Sequence, residues 1–270
     1  MTTLQHFVRS FPLHLDTHQR WSYGLIVVWL LAMIAFPIAY WIEGPTIIPS
    51  AITLAAVLQA LAAFTALVFN WRIRQALRAF TIVALVTWFA EFVGSKTGLP
   101  FGDYTYTDVL QPQLFGVPLL IPVAWFMMLP SAWAMAHLIL GQSPRPQRRL
   151  RFALLSSLVF TAWDLFLDPQ MVAWHFWQWA YPVGYFGIPW INYLGWLLVS
   201  FVVTWLVNPH AMPNLGPLVV IYASVWFLQS VGLAWFWGQP GPALFGSLAM
   251  GLVMFLAYKR STARSCAGEV

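Results

Sequence analysis

The sequence predicts an all-α fold: a polytopic bundle of membrane-spanning helices forming a single domain over residues 1–270. Three observations predict it. Sixty per cent of the residues are hydrophobic and only 8% are charged, whereas a soluble domain carries about a quarter charged residues. Apolar runs of spanning length recur along the whole chain. The basic residues fall in alternate connections between those runs.

A helix crosses the hydrocarbon core with roughly 17–25 apolar residues. Eight such runs are read, at about 23–42, 50–69, 78–95, 117–139, 151–167, 190–207, 217–237 and 242–258. The first follows Arg9 and Arg20 like the h-region of a signal peptide, but Leu25–Trp41 is long and no small-residue cleavage site closes it. It is therefore expected to be retained as a span. The fifth and eighth runs are short, and a seven-helix reading would merge or demote one of the last two.

Orientation follows from arginine and lysine in short connections. Arg9 and Arg20 precede the first run. Arg72, Arg74 and Arg78 lie between the second and third, and Arg145, Arg148, Arg149 and Arg151 between the fourth and fifth. Lys259, Arg260 and Arg264 follow the eighth. With eight spans all of these share one side and Lys96 stands on the other, so both termini are expected in the cytoplasm of a prokaryotic cell. The net charge of +5 and pI near 9.6 then express topology and contact with the lipid bilayer, not nucleic-acid binding. Cys266 is the single cysteine, which excludes an intramolecular disulfide and a cysteine-based metal cluster.

The acids divide the other way. Glu43, Glu91, Asp103, Asp108, Asp164 and Asp168 map to the non-cytoplasmic half, leaving Asp16 and Glu269 outside that set. The longest loops, about 96–116 and 168–189, lie on the same side and are rich in Gly, Pro, Tyr and Trp. They are expected to be ordered layers over the helix ends, because non-helical backbone at membrane depth must be covered by protein or line a cavity.

Two stretches echo each other. FGVPLLIPVAW (Phe115 to Trp125) matches FGIPWINYLGW (Phe186 to Trp196) in its Phe, Gly, β-branched residue, Pro and final Trp. Upstream of each lies an acid, Glu91 in TWFAEFVG and Asp164 in TAWDLFLD. This pattern suggests a degenerate parallel duplication of residues 80–140 and 151–207, with Glu91 and Asp164 equivalent and facing one cavity. Chance in a Gly/Pro/aromatic-rich sequence is the plain alternative.

Asp164 and Asp168 stand at i and i+4, on one helix face if the helix persists. Pro169 disfavours α geometry at Asp168, which is therefore expected at or just past the helix end. Close carboxylates in low dielectric do not both ionise, an arrangement that yields a neutral acid beside a base. The plain structural reading makes Asp168 a turn cap. An intramembrane acid such as Asp164 is a functional candidate by default. In EFVGSKTGLPFGDYTYTDVL, Asp103, Tyr104 and Tyr106 project from a glycine-rich loop, and Lys96 is placed to pair with Glu91 or Asp103; an interfacial aromatic belt is the alternative. Asn192 is a candidate polar contact. His137, His175 and His210 are scattered, so neither metal nor haem is expected.

The long mixed polar and aromatic motifs GLPFGDYTYTDVLQPQLFGVPLLIPVAW and AWDLFLDPQMV...WQW...GYFGIPWINYLGW resemble those of the CruF-type carotenoid 1′,2′-hydratases, the bisanhydrobacterioruberin hydratase family, over about residues 80–205. The resemblance implies addition of water across the terminal C1′=C2′ bond of an acyclic (ψ) carotenoid end, giving a tertiary 1′-hydroxyl without a cofactor. It implies a substrate of the γ-carotene, lycopene or bisanhydrobacterioruberin type, and suggests other enzymes of that pathway as partners. Such chemistry needs a neutral carboxylic acid, a carboxylate to hold and deprotonate water, and walls that tolerate a cation. Asp164 is the expected member of the proton-handling pair, with Asp168, Glu91 or Asp103 as the second acid. Tyr104, Tyr106, Trp163, Trp177, Trp179, Tyr185, Asn192 and Lys96 are the expected substrate contacts. A proton-coupled transporter of a small or lipidic solute is the alternative that acids in spans and an internal repeat also suit.

Overall fold

The computed structural model describes residues 17–141 and 148–266. Arg9, Asp16, Arg145, Glu269 and the side chains of Arg148 and Cys266 lie outside that description. Among the described residues eight α-helices make up the bundle: α1 (Thr17–Glu43), α2 (Ile48–Asn70), α3 (Ile73–Thr97), α4 (Leu120–Leu140), α5 (Arg148–Ala173), α6 (Trp190–Val207), α7 (Gly216–Val231) and α8 (Pro240–Cys266). Each overlaps one apolar run of the sequence.

Seven apolar stretches are long enough to cross a bilayer, which makes the chain a multi-pass membrane protein. The last two, Gly216–Phe236 and Pro240–Arg264, remain separate. The first, Arg20–Asn70, is 51 residues long, far more than the roughly 20 that a bilayer needs. It is broken at a 3₁₀ turn, Gly44–Ile47, where Gly44 takes φ 75° and Pro45 occupies the first turn. Helix α2 returns along α1.

Helices α4 and α5 form the centre. Their apolar windows are 72% and 61% buried, against 17% for the stretch holding α1 and α2. Around them pack α2, α3, α6, α7 and α8. The lipid-exposed faces carry Leu, Ile, Val and Phe, as at Leu61, Leu85, Leu198 and Leu252. At the end bearing the basic residues, hydrogen bonds tie helix ends together. Arg264 donates to the Leu138 and Ile139 carbonyls, Arg149 to the Trp205 carbonyl at 2.6 Å, and the Trp71 indole to the Ala211 carbonyl at 3.3 Å.

One expectation is corrected in α5. The helix runs through Asp168 and Pro169 to Ala173. Proline lacks the N–H that would bond the carbonyl four residues back, here that of Leu165. That carbonyl instead accepts the Tyr185 hydroxyl at 3.1 Å, so the proline is tolerated and both aspartates stay on the helix.

At the opposite end the two long loops are ordered and paired. Strand β1 (Tyr104–Tyr106) in the α3–α4 loop lies antiparallel to β4 (Trp177–Trp179) in the α5–α6 loop, with Tyr104 opposite Trp179 and Tyr106 opposite Trp177. Strands this short, set in loops, leave no periodic signal in the sequence. A second hairpin, β2 (Gln113–Leu114) with β3 (Val117–Pro118), turns at Phe115-Gly116. A like turn closes between Tyr185 and Ile188 at Phe186-Gly187. The φ values are 54° and 85° in the first and 49° and 88° in the second. Positive φ at both central positions is the type I′ geometry, which a glycine accepts freely. The two echoing stretches thus fold alike locally, the first leading into the central α4 and the second into α6 beside it.

Candidate active site

The acids are placed by two helices, α3 and α5, and the paired loops. On α3, Glu91 is buried and accepts three hydrogen bonds: from Tyr104 at 2.5 Å, from Tyr106 at 2.8 Å and from the Trp125 indole at 3.1 Å. Three donors are the partner set of an ionised carboxylate. The two tyrosines reach it because β1 alternates sides, so residues 104 and 106 point the same way. Burial, reinforced by the Glu91 charge, pushes both phenols above the ordinary tyrosine range. They therefore remain donors.

On α5, Asp164 and Asp168 are also buried. They stand one turn apart on the same helix, near enough for one amide nitrogen to reach both, and two carboxylates side by side in low dielectric do not both ionise. The Asn192 amide, in the first turn of α6, donates to both, to Asp164 at 3.2 Å and more tightly to Asp168. The Trp177 indole on β4 donates to Asp168 at 3.0 Å. Asp164 Oδ1 has no donor among the described residues. Asp168 and Glu91 both open on one cavity, and Asp164 stands behind Asp168.

That cavity has a volume of about 100 Å³ and is walled largely by aromatic and aliphatic side chains. Trp125 and Trp196, the last residues of the two echoing stretches, stack at 4.5 Å and 18°. Phe160 lies 5.0 Å from the first ring and 5.3 Å from the second. Trp177 and Trp179 close the loop side, held at Phe101 by a 3.0 Å bond from the Trp179 indole to its carbonyl. Phe101 fits between α3 and α6 because Gly94 and Gly195 face it. A Cβ at Gly195 would stand 2.7 Å from the Pro100 carbonyl oxygen, and one at Gly94 would stand 2.8 Å from the Phe101 ring.

Of the residues singled out in the sequence, Glu91, Asp168, Tyr104, Tyr106, Trp163, Trp177, Trp179 and Asn192 line this cavity. Three stand apart. Asp103 has an exposed side chain and contributes only its carbonyl, which accepts the Ala180 N–H at 2.8 Å. Lys96 is exposed, five residues along α3 from Glu91 and so on another face; Glu91 is satisfied by neutral donors instead. Tyr185 braces α5 at Leu165. The histidines do not converge: His137 packs on Phe152, His175 bonds Gln178 and His210 meets Trp71.

Several cavity residues carry no catalytic flag in the sequence. Trp125 and Trp196 were visible only as the ends of the echo. Trp29 on α1, Gln59 on α2 and Gln170 on α5 line the cavity too, and no motif marks them. Chemically, the site joins two adjacent carboxyls that do not both ionise in low dielectric, a third carboxyl, Glu91, on the same cavity, and aromatic faces that favour a cation.

Comparison with known proteins gives the following. The model of a family described as carotenoid biosynthesis protein matches residues 51–254. Bisanhydrobacterioruberin hydratase of Haloarcula japonica is 36% identical over 126 residues, spanning 46% of this chain and 42% of that protein. No solved structure matches.

Proposed function

Starting from the chain's membership of the carotenoid biosynthesis protein family, we propose that it is a hydratase adding water to the terminal C1′=C2′ double bond of an acyclic carotenoid end group. The observation that carries the proposal is the buried carboxyl cluster, Asp168 backed by Asp164 and standing with Glu91 on an aromatic cavity. The name of the haloarchaeal relative supports the same reaction type.

An isolated trisubstituted alkene is a poor electrophile, so protonation comes first. The aspartate pair delivers its proton to C2′ through Asp168, its cavity-facing member, while Asp164 holds the reserve position. The π electrons form the new C2′–H bond and leave a tertiary cation at C1′. Trp125, Trp177, Trp179 and Trp196 present ring faces or edges to that region, and a ring face within about 6 Å favours a cation by roughly 0.5–2 kcal/mol. Water attacks C1′, forming the C–O bond, and Glu91 takes its extra proton. That proton returns to the aspartate pair and restores the starting state. One alkene and one water give one tertiary alcohol, with no change of oxidation level and no need for an electron carrier.

The roles of the two aspartates are thus the reverse of those expected from the sequence: Asp168 meets substrate and Asp164 acts behind it. We further read eight spans with both termini in the cytoplasm, which places the carboxylates in the outer half of the bilayer, within reach of interfacial water. A proton-coupled transporter would need polar groups along a path open to both faces, and the cavity carboxylates all stand at one end of the helices.

Expression in a host producing lycopene or γ-carotene, followed by mass spectrometry of the pigments, tests the proposal. A gain of one water per ψ end is the expected result. Unchanged pigment across several ψ-ended substrates, from protein shown to be in the membrane, would overturn it.

A further inference from the structure

A second cavity, of about 290 Å³, lies beside the first between α1, α2 and the end of α7. It is the roomier of the two, since the first holds about 100 Å³. The two share Met33, Ile52, Gln170, Leu228 and Gln229 as walls, so only those side chains stand between them. Nothing in the hydration chemistry requires the second chamber, because the reacting alkene, the three acids and the aromatic stack all belong to the first.

The second cavity is apolar and aromatic. Phe36, Trp174 and Trp237 form a cluster with centroid separations of 5.1–5.7 Å. Its mouth is bordered by residues that face outward from the bundle: Ile34 is 55% exposed, Ile38 50% and Trp41 69%. Facing α1 across that mouth is the π-helical turn Gly232–Phe236 at the end of α7. Such turns widen a helix locally and recur at functional sites. In a membrane bundle that mouth opens sideways into lipid, not into water.

We propose that the second cavity is the binding site for the polyene remainder of the substrate, and that its mouth between α1 and the π turn is the lateral entry from the bilayer. The inference rests on the hydratase reading. A rod-like, wholly apolar molecule dissolved in the hydrocarbon has no reason to pass through the aqueous loops. A path lined mainly by Ile, Met, Leu, Phe and Trp, with the neutral amides of Gln170 and Gln229 at its narrowest point, leads its end group from the lipid to Asp168 without passing a charged group. It also makes length a specificity determinant: a short isoprenoid fills only the first cavity, whereas a full carotenoid occupies both.

The test narrows the second cavity without touching the first. Ile38→Trp fills the mouth from a half-exposed position, and Val231→Phe fills the chamber from the π-turn side. Two quantities are read for wild type and both variants, reconstituted in lipid nanodiscs and checked for unchanged melting temperature. One is lycopene retained per protein. The other is the ratio of kcat/KM for lycopene to kcat/KM for an acyclic terpene of three isoprene units bearing the same trisubstituted terminus. Lycopene retention and the ratio should each fall at least tenfold in at least one of the folded variants. Retention and ratio equal to wild type in both folded variants would overturn the proposal. If wild type hydrates neither substrate but the variants still lose lycopene, the channel stands and the hydratase reading falls. If both variants bind and hydrate lycopene normally, the hydratase reading stands and the channel falls.

Discussion

Three carboxyl groups define the site at the scale of single residues, and their partners divide the labour among them. Glu91 meets three donors, while Asp164 and Asp168 share the Asn192 amide and, side by side in low dielectric, do not both ionise. Asp168→Asn removes the group that meets substrate, and hydration should fall by the roughly 10²–10⁴-fold that a general acid supplies. The measurement is product per membrane-inserted protein, and wild-type turnover would remove Asp168 from the reaction. Glu91→Gln places an amide N–H₂ among three donors. It should cut turnover while leaving lycopene retention unchanged, as a pigment-binding assay beside the rate assay would show. The tyrosines lead to a pH expectation. Burial raises Tyr104 and Tyr106 above the ordinary value of 10.0, so both remain neutral in the folded protein at that pH. Their contribution to stability is full below pH 10 and declines above it, where the unfolded chain ionises its phenols and the folded one resists. Melting temperature followed across that boundary, against Tyr104→Phe, checks the sign.

At the scale of elements, two devices hold the site. One is the loop pair. The β1–β4 pairing brings Tyr104 and Tyr106 to Glu91 and Trp177 to Asp168, so a break in either loop disturbs both acids. The Phe101 wedge between Gly94 and Gly195 anchors that pair to α3 and α6. Gly195→Ala sets a methyl 2.7 Å from a backbone oxygen, which has little room to yield. It should lower stability by about 1–3 kcal/mol, read as a drop in melting temperature, and lower activity with it. The other device is the repair of α5 at Pro169. Tyr185→Phe leaves the Leu165 carbonyl without a donor and should cost about 1 kcal/mol. The matching Phe-Gly turns and the stacking of Trp125 on Trp196 support a duplicated helix pair with its pseudo-axis near that stack. In this reading Glu91 and Asp164 descend from one position, but Asp168 has displaced Asp164 from the cavity.

At the scale of the whole molecule, the bundle separates its ends by chemistry. Arginines tie helix termini at one end, and acids, tyrosines and tryptophans build the site at the other. Fusion of a fluorescent protein to the C-terminus, which matures in the cytoplasm, should give fluorescent cells. Dark cells with full-length fusion present would reverse the orientation. The central position of α4 and α5 places the reacting groups where lipid cannot reach them, while α1 and α7 border the open side.

The sequence by itself determined the helices, the charge asymmetry of the bundle and the short list from which the site is drawn. Those features are local: hydropathy over some twenty residues, and arginine counts in short connections. Only the tertiary structure decided which carboxylate meets the cavity. That choice depends on the rotation of α5 about its axis and on a hydroxyl from a distant loop that preserves the helix through Pro169. It also decided that Asp103 and Lys96 face outward, and that Trp29, Gln59 and Gln170 join the walls. These placements arise from packing between segments far apart in the chain, where no spacing or composition records which faces meet.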